Sequence, residues 1–226
     1  MVKIDDMKIN IVKELLVLIV VIATTPMNSA YGQKIMLNGY GSYVLEGGYN
    51  AEYGTSDFLH GKTNDGLQWG VGAEYEMSKS YGVELMYLRR STHAFQQSKM
   101  DPQKRLNFDL ALNYVLSGVN AYLQPNTSKL QAYGSMFGGI VIEEIDFPNN
   151  AITSSITKFA WAVRLGGKYW FSQRVGMRLQ TQWTSFFVMN GGLPPADVYG
   201  LNTANINFPI AYQFELGTGL MVKLGK

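Results

Sequence analysis

Residues Leu67 to Met77 read LQWGVGAEYEM. Leu67, Trp69, Val71, Ala73, Tyr75 and Met77 alternate with Gln68, Gly70, Gly72, Glu74 and Glu76, so one face is apolar and the other polar or bare. A period of two marks a strand whose faces meet different media. The pattern returns along the chain. Tyr81, Val83, Leu85 and Tyr87 stand against Gly82, Glu84, Met86, Leu88 and Arg90, with Arg89 ending the apolar row. Leu106, Phe108, Leu110, Leu112 and Tyr114 stand against Asn107, Asp109, Ala111 and Asn113. The runs Phe159 to Phe171, Val175 to Trp183 and Ile210 to Leu224 repeat it. Two glycine-rich segments, Lys34 to Leu45 and Leu130 to Glu143, carry it more weakly and bring the expected strands to eight.

The connections between these strands alternate in length. Long ones span 46–65, 92–104, 144–157 and 187–207, whereas tight turns span 78–80 and 172–174. Unequal ends of this kind describe an antiparallel, all-β, up-and-down meander. The link over 117–129 is the exception, as long as a loop at an end where a turn is expected.

Charge decides which face looks inward. The apolar rows of the six clear strands hold one charged residue, Arg89. The opposite rows hold ten: Glu74, Glu76, Glu84, Arg90, Asp109, Arg164, Lys168, Arg178, Glu215 and Lys223. A soluble barrel turns its apolar face inward and clothes its exterior in charge. Here the polar rows are too rich in small residues for a solvated exterior, with Gly70, Gly72, Gly82, Gly166, Gly176, Gly217 and Gly219 all on them. Small side chains suit the crowded inside of a narrow barrel, and large apolar ones suit lipid, where closure leaves no backbone group unpaired. Strands of about 10 residues, tilted by about 40°, cover on the order of 25 Å along the membrane normal.

Composition agrees. Charged residues are 16% of the 226, against roughly 25% in soluble domains, and the aromatics lie toward the ends of the apolar rows, where interfacial girdles belong. Beyond residue 30 no apolar run approaches the roughly 20 residues of a spanning helix. The expected fold is therefore an eight-stranded antiparallel transmembrane β-barrel. With five acidic and five basic residues inside, the lumen is expected to be plugged by a network joining Glu74, Glu76, Glu84, Asp109 and Glu215 to Arg90, Arg164, Lys168, Arg178 and Lys223, because buried ions are tolerable only when paired.

The first 32 residues read as a secretory leader. Lys3, Lys8 and Lys13 precede the apolar stretch Leu15 to Ala23, followed by Pro26 and a small-residue site at Ala30-Tyr31-Gly32. Cleavage there makes Gln33 the mature N-terminus and residues 33–226 the barrel domain.

Little in the chain points to chemistry. No Cys is present, which excludes disulfides, thiolate metal sites and cysteine nucleophiles. A net charge of +2, with 19 Lys and Arg scattered among 17 Asp and Glu, gives no basis for a nucleic-acid partner. The two histidines, His60 and His93, fall in the first two long connections, where Asp57 and Ser91 are the residues from which a hydrolytic set would be drawn. A histidine in a polar surface loop is more often solvated, and the chain is read as non-enzymatic. The cluster Glu143, Glu144 and Asp146 reads as a solvated rim in preference to a cation site. No catalytic residue, cofactor or metal ligand is assigned.

With these residues in view, the chain resembles the small outer-membrane β-barrel proteins of Gram-negative bacteria, the class that includes the OmpA transmembrane domain, OmpX and OmpW. The likeness rests on LQWGVGAEYEM, on FAWAVRLGGKYWF (159–171) with its short turn and the following strand, and on the final strand. The chain departs from that class in ending Leu224-Gly225-Lys226, where many such barrels end in an aromatic residue. The resemblance implies location in the bacterial outer membrane and contact with membrane lipid and lipopolysaccharide. It also implies handling by the barrel assembly machinery, a monomeric state, and a structural or surface-interaction role through long extracellular loops that meet an outside ligand. A narrow channel for small or hydrophobic solutes is the alternative, and an outer-leaflet lipid A-modifying enzyme is the third.

Overall fold

The computed structural model describes residues 35–53, 57–98, 105–123, 129–147, 152–186, 206–207 and 211–224. The leader (1–32) and the Gly- and Pro-rich part of the fourth long connection lie outside these residues. Eleven strands follow in order: β1 (Ile35–Val44), β2 (Gly47–Tyr53), β3 (Asp57–Thr63), β4 (Gly66–Glu76), β5 (Tyr81–Ser98), β6 (Arg105–Tyr122), β7 (Leu130–Phe147), β8 (Ile152–Trp170), β9 (Val175–Phe186), β10 (Ile206–Asn207) and β11 (Ala211–Leu224). All pairings are antiparallel, and β1 with β11 and β5 with β6 close the sheet.

Register reduces the eleven strands to eight walls. Ile35 sits opposite Leu224 and Tyr53 opposite Ile206, so β1–β2 and β10–β11 keep one register across their interruptions. Likewise β1 meets β4 as Ile35 with Tyr75, and β2 meets β3 as Gly47 with Thr63, in the same register. Against β5 the match slips by one: Thr63 faces Ala94 and Gln68 faces Arg90, so residues 64–67 oppose 91–93. That extra residue is a bulge, which strengthens local twist where the wall bends. The barrel is thus the eight-stranded antiparallel closure expected.

The heights correct the expected loops. β5, β6 and β7 have 18 residues each and β8 has 19, and the wall made by β3 and β4 runs from Asp57 to Glu76. The segments 92–104, 144–157 and 46–65, read as loops, are largely paired strand, and of the link 117–129 residues 117–122 belong to β6, with β7 starting at Leu130. Strands end in the sequence where the outward row turns polar. In the structure the ladder continues past that point, because the surrounding medium changes while the backbone pairing does not.

Candidate functional site

The outer surface divides into two levels. Along the lower level of the barrel, large apolar side chains stand exposed at alternate positions, among them Val71, Leu85, Met136, Leu165, Leu179 and Leu220. Aromatic rings bound this belt. Tyr75, Tyr81, Tyr169 and Phe171 lie toward the short-turn end; Tyr43, Trp69, Tyr87, Trp183 and Tyr212 form the upper ring. Edge-to-face contacts join Trp69 to Tyr87 (6.0 Å between centroids), Trp183 to Tyr212 (6.3 Å) and Tyr169 to Phe171 (5.4 Å). From Tyr169 up β8 to Trp161, a rise of about 3.3 Å per residue at about 40° of tilt gives roughly 20 Å, in keeping with an outer-membrane apolar band.

Above the upper ring the polarity inverts. The outward row becomes Arg89, Ser91 and His93 on β5, Asp109 on β6, Glu144 and Asp146 on β7, and Ser155 and Thr157 on β8. The inward row becomes apolar: Leu88, Ala94, Leu110, Leu112, Val141, Ile145, Ala160 and Phe186 are buried together. This corrects the facing expected for β6. Leu110, Leu112 and Tyr114 point inward, and Asp109 is 59% exposed, bonded to the 78% exposed His93 on the outer face. The rule that apolar means outward holds where the outside is lipid; this part of β6 stands above the band, where water restores the ordinary arrangement.

Inside the lower level, the sequence-predicted charges meet across the lumen. Glu74 and Glu84 are direct partners on β4 and β5, and Lys168 and Arg178 are direct partners on β8 and β9. Each pair alone sets like charges side by side, which is unfavourable. Closing the barrel brings the pairs together: Lys168 Nζ donates to Glu74 at 2.6 Å, Arg178 Nη1 to Glu84 at 3.0 Å, and Arg178 Nη2 lies 3.6 Å from Glu74. Arg164 adds a contact to Glu84 at 3.4 Å. All five side chains are fully buried.

Neutral groups complete the site. Glu84 accepts from Tyr40 and from Asn120 Nδ2 at 2.8 Å, and Glu74 accepts from Tyr122. Aromatic faces cover the cations, with Arg178 4.8 Å from the Tyr133 ring centre, Lys168 4.6 Å from Tyr122 and Arg164 4.7 Å from Phe137. These rings explain the glycines on the inward rows. A Cβ at Gly166 would fall 2.8 Å from the Tyr133 ring, and one at Gly72 would fall 2.8 Å from the Tyr40 hydroxyl.

The remaining predicted residues occupy other layers. Lys223 sits 3.4 Å from Glu76 and 4.3 Å from the Trp170 ring centre, at the short-turn end. Glu215 accepts from Gln68, and Arg90 donates to the Asn64 carbonyl. Asp109 stays outside the lumen, as described. One buried pair escaped sequence reading: Lys158 donates to Glu143 at 2.6 Å within the upper, apolar level. Its signal was present, because both residues share the inward parity of their strands once those strands are extended. The expected acidic rim is split by the same parity, with Glu143 inside and Glu144 and Asp146 outside. Among the described residues no group of His, Cys, Asp and Glu is arranged to hold a metal ion. No hydrogen bond joins Ser91 to His93 among them; Asp57 and His60 fall on β3, with side chains outside the described residues.

The sequence pattern of the family described as outer membrane protein beta-barrel domain matches residues 16–214. The chain belongs to this family. One solved structure agrees on the fold. The Neisserial surface protein NspA is 12% identical, with a TM-score of 0.55 over 86% of this chain and 99% of its own. The outer membrane protein AlkL is 14% identical, at 0.49 over 90% and 97%. Ail of Yersinia pestis is 11% identical, at 0.42 over 84% and 99%. No curated protein matches the chain by sequence. As an outer membrane β-barrel domain the chain resides in the bacterial outer membrane, with its exposed apolar belt in lipid.

Proposed function

We propose that this outer-membrane barrel is a non-conducting, non-enzymatic anchor that presents its raised wall for surface interaction. One observation carries the reading: β5 to β8 continue as a paired sheet beyond the upper aromatic ring, polar outside and apolar inside. A tall sheet of this kind is a stiff platform, and outward segments of membrane barrels are where binding residues collect. Below it, the fully buried Glu74–Lys168 and Glu84–Arg178 pairs fill the bore. The test replaces residues 91–111 with a short turn and measures the adhesion of expressing cells to immobilised surfaces of defined chemistry, protein-coated and uncoated. Adhesion lost while the barrel keeps its heat-dependent gel mobility supports the reading; adhesion unchanged overturns it.

A second reading draws on the apolar upper lumen, where Leu110, Leu112, Val141 and Ile145 would suit a small apolar solute on its way inward. It predicts faster entry of such a solute into vesicles carrying the protein, whereas the filled lower lumen predicts no acceleration and no single-channel conductance.

A further inference from the structure

The short-turn rim carries a charge pattern that neither the lumen nor the raised wall uses. Its three turns read Met77-Ser78-Lys79-Ser80-Tyr81, then 123–130 from Leu123 to Lys129-Leu130, and Phe171-Ser172-Gln173-Arg174-Val175. Each contains one cation and no acid, and the cation lies between two large apolar residues. Those flanks are exposed toward lipid: Met77 and Tyr81 at 61% and 56%, Leu123 and Leu130 at 78% and 61%, Phe171 and Val175 at 57% and 41%. Lys79, Lys129 and Arg174 are themselves exposed, and none has an acidic partner among the described residues. The opposite end is different in composition, with ten acidic residues against five basic ones over 45–65, 91–109, 142–158 and 187–210.

The two tight turns are also held in place. Ser78 Oγ accepts from the backbone N–H groups of Ser80 and Tyr81, and Ser172 Oγ accepts from those of Arg174 and Val175. Each turn is then tied to the next part of the rim by a backbone bond: Tyr122 N–H to the Ser80 carbonyl (2.8 Å), Trp170 N–H to that of Lys129 (2.8 Å), and Lys223 N–H to that of Arg174 (2.7 Å). Cations on pinned turns lose less freedom when they bind than cations on a loose loop. Their height, just past the last lipid-facing side chains, is that of a phosphate headgroup.

From this placement we infer that Lys79, Lys129 and Arg174 form a ring of sites for anionic phospholipid headgroups at the short-turn face of the barrel. The apolar flanks take the acyl region and each cation takes a headgroup phosphate. Each cation near an anionic surface contributes enough for a roughly two- to fivefold preference.

The test uses the whole protein in phosphatidylcholine vesicles containing spin-labelled phosphatidylglycerol or spin-labelled phosphatidylcholine, and reads the motionally restricted fraction of each. The wild type is expected to enrich phosphatidylglycerol, and the K79Q/K129Q/R174Q variant to lose that enrichment. The K62Q variant, which removes an equal charge per site from the opposite end, is expected to keep it. Should the triple variant fail to fold by gel mobility, raised salt on the wild type replaces it and must abolish the preference. Retained enrichment in the triple variant or in high salt, or equal loss in K62Q, overturns the inference. Competition by excess inorganic phosphate would assign the rim to free phosphate and overturn the lipid source.

Discussion

Replacing Glu84 with Gln tests the lumen most sharply. Glu84 meets Arg178 at 3.0 Å and Arg164 at 3.4 Å, and it accepts from Tyr40 and Asn120. Gln keeps the volume and one acceptor oxygen but removes the charge, which leaves Glu74 to face Lys168, Arg178 and Arg164 alone. Removing one partner of a buried pair costs about 3–5 kcal/mol, because the other charge stays desolvated. Urea unfolding of the protein in vesicles, followed by tryptophan emission and by heat-dependent gel mobility, reads that loss. Adding Arg164→Gln restores the net charge of the cluster, and the double-mutant cycle is expected to return a coupling of about 1–3 kcal/mol. A loss below about 1 kcal/mol for Glu84→Gln, or a cycle without coupling, would refute the view that opposed like-charge pairs hold the barrel closed.

Other expected outcomes follow from the same geometry. Glu143→Ala strands the buried Lys158 and is expected to cost several times more than Asp109→Ala, whose exposed pair with His93 is worth at most about 1 kcal/mol; unfolding midpoints of the two variants decide this. A Cβ at Gly139 would meet the Val115 carbonyl and the Leu116 backbone, whereas one at Gly167 meets nothing within 4 Å. Gly139→Ala is therefore expected to destabilise by about 1–3 kcal/mol and Gly167→Ala by no more than about 0.5 kcal/mol, in the same assay. Leu179→Arg places a charge within the lipid belt and is expected to cost about 2–4 kcal/mol in vesicles, while Thr157→Arg, above the upper ring, is tolerated. His93→Ala is expected to leave the mass spectrum of lipid A from expressing cells unchanged.

Much of this molecule can be read in its strands one at a time. The alternation in LQWGVGAEYEM puts Glu74 and Glu76 on one side and Trp69 and Tyr75 on the other, and the structure places those sides in the bore and in the belt. Partners across the bore could not be read, because Glu74 and Lys168 are 94 residues apart and meet through closure, tilt and stagger, none of which a single strand encodes. The expected row through Leu110, Leu112 and Tyr114 shows the limit differently. Its period is right and its facing is reversed, since period two reports that two faces differ without saying which one meets lipid. Height was hidden for a related reason: Ser91, His93, Glu144 and Asp146 look like loop composition, yet they form the water-facing side of a continuing sheet.

Polarity changes partway up the walls, and β6 crosses that level. Because the chain lacks Cys, single substitutions of Asp109, Leu112 and Val119 to Cys along β6 each supply the sole thiol. Labelling of folded protein in vesicles with a charged maleimide and, separately, an apolar one reads the medium around each. Asp109→Cys is predicted to react with the charged reagent, Val119→Cys with the apolar reagent alone, and Leu112→Cys with neither until the protein is unfolded. Reaction of Leu112→Cys with the apolar reagent, together with protection of Asp109→Cys, would mean that β6 turns its leucines to lipid and would contradict the inversion.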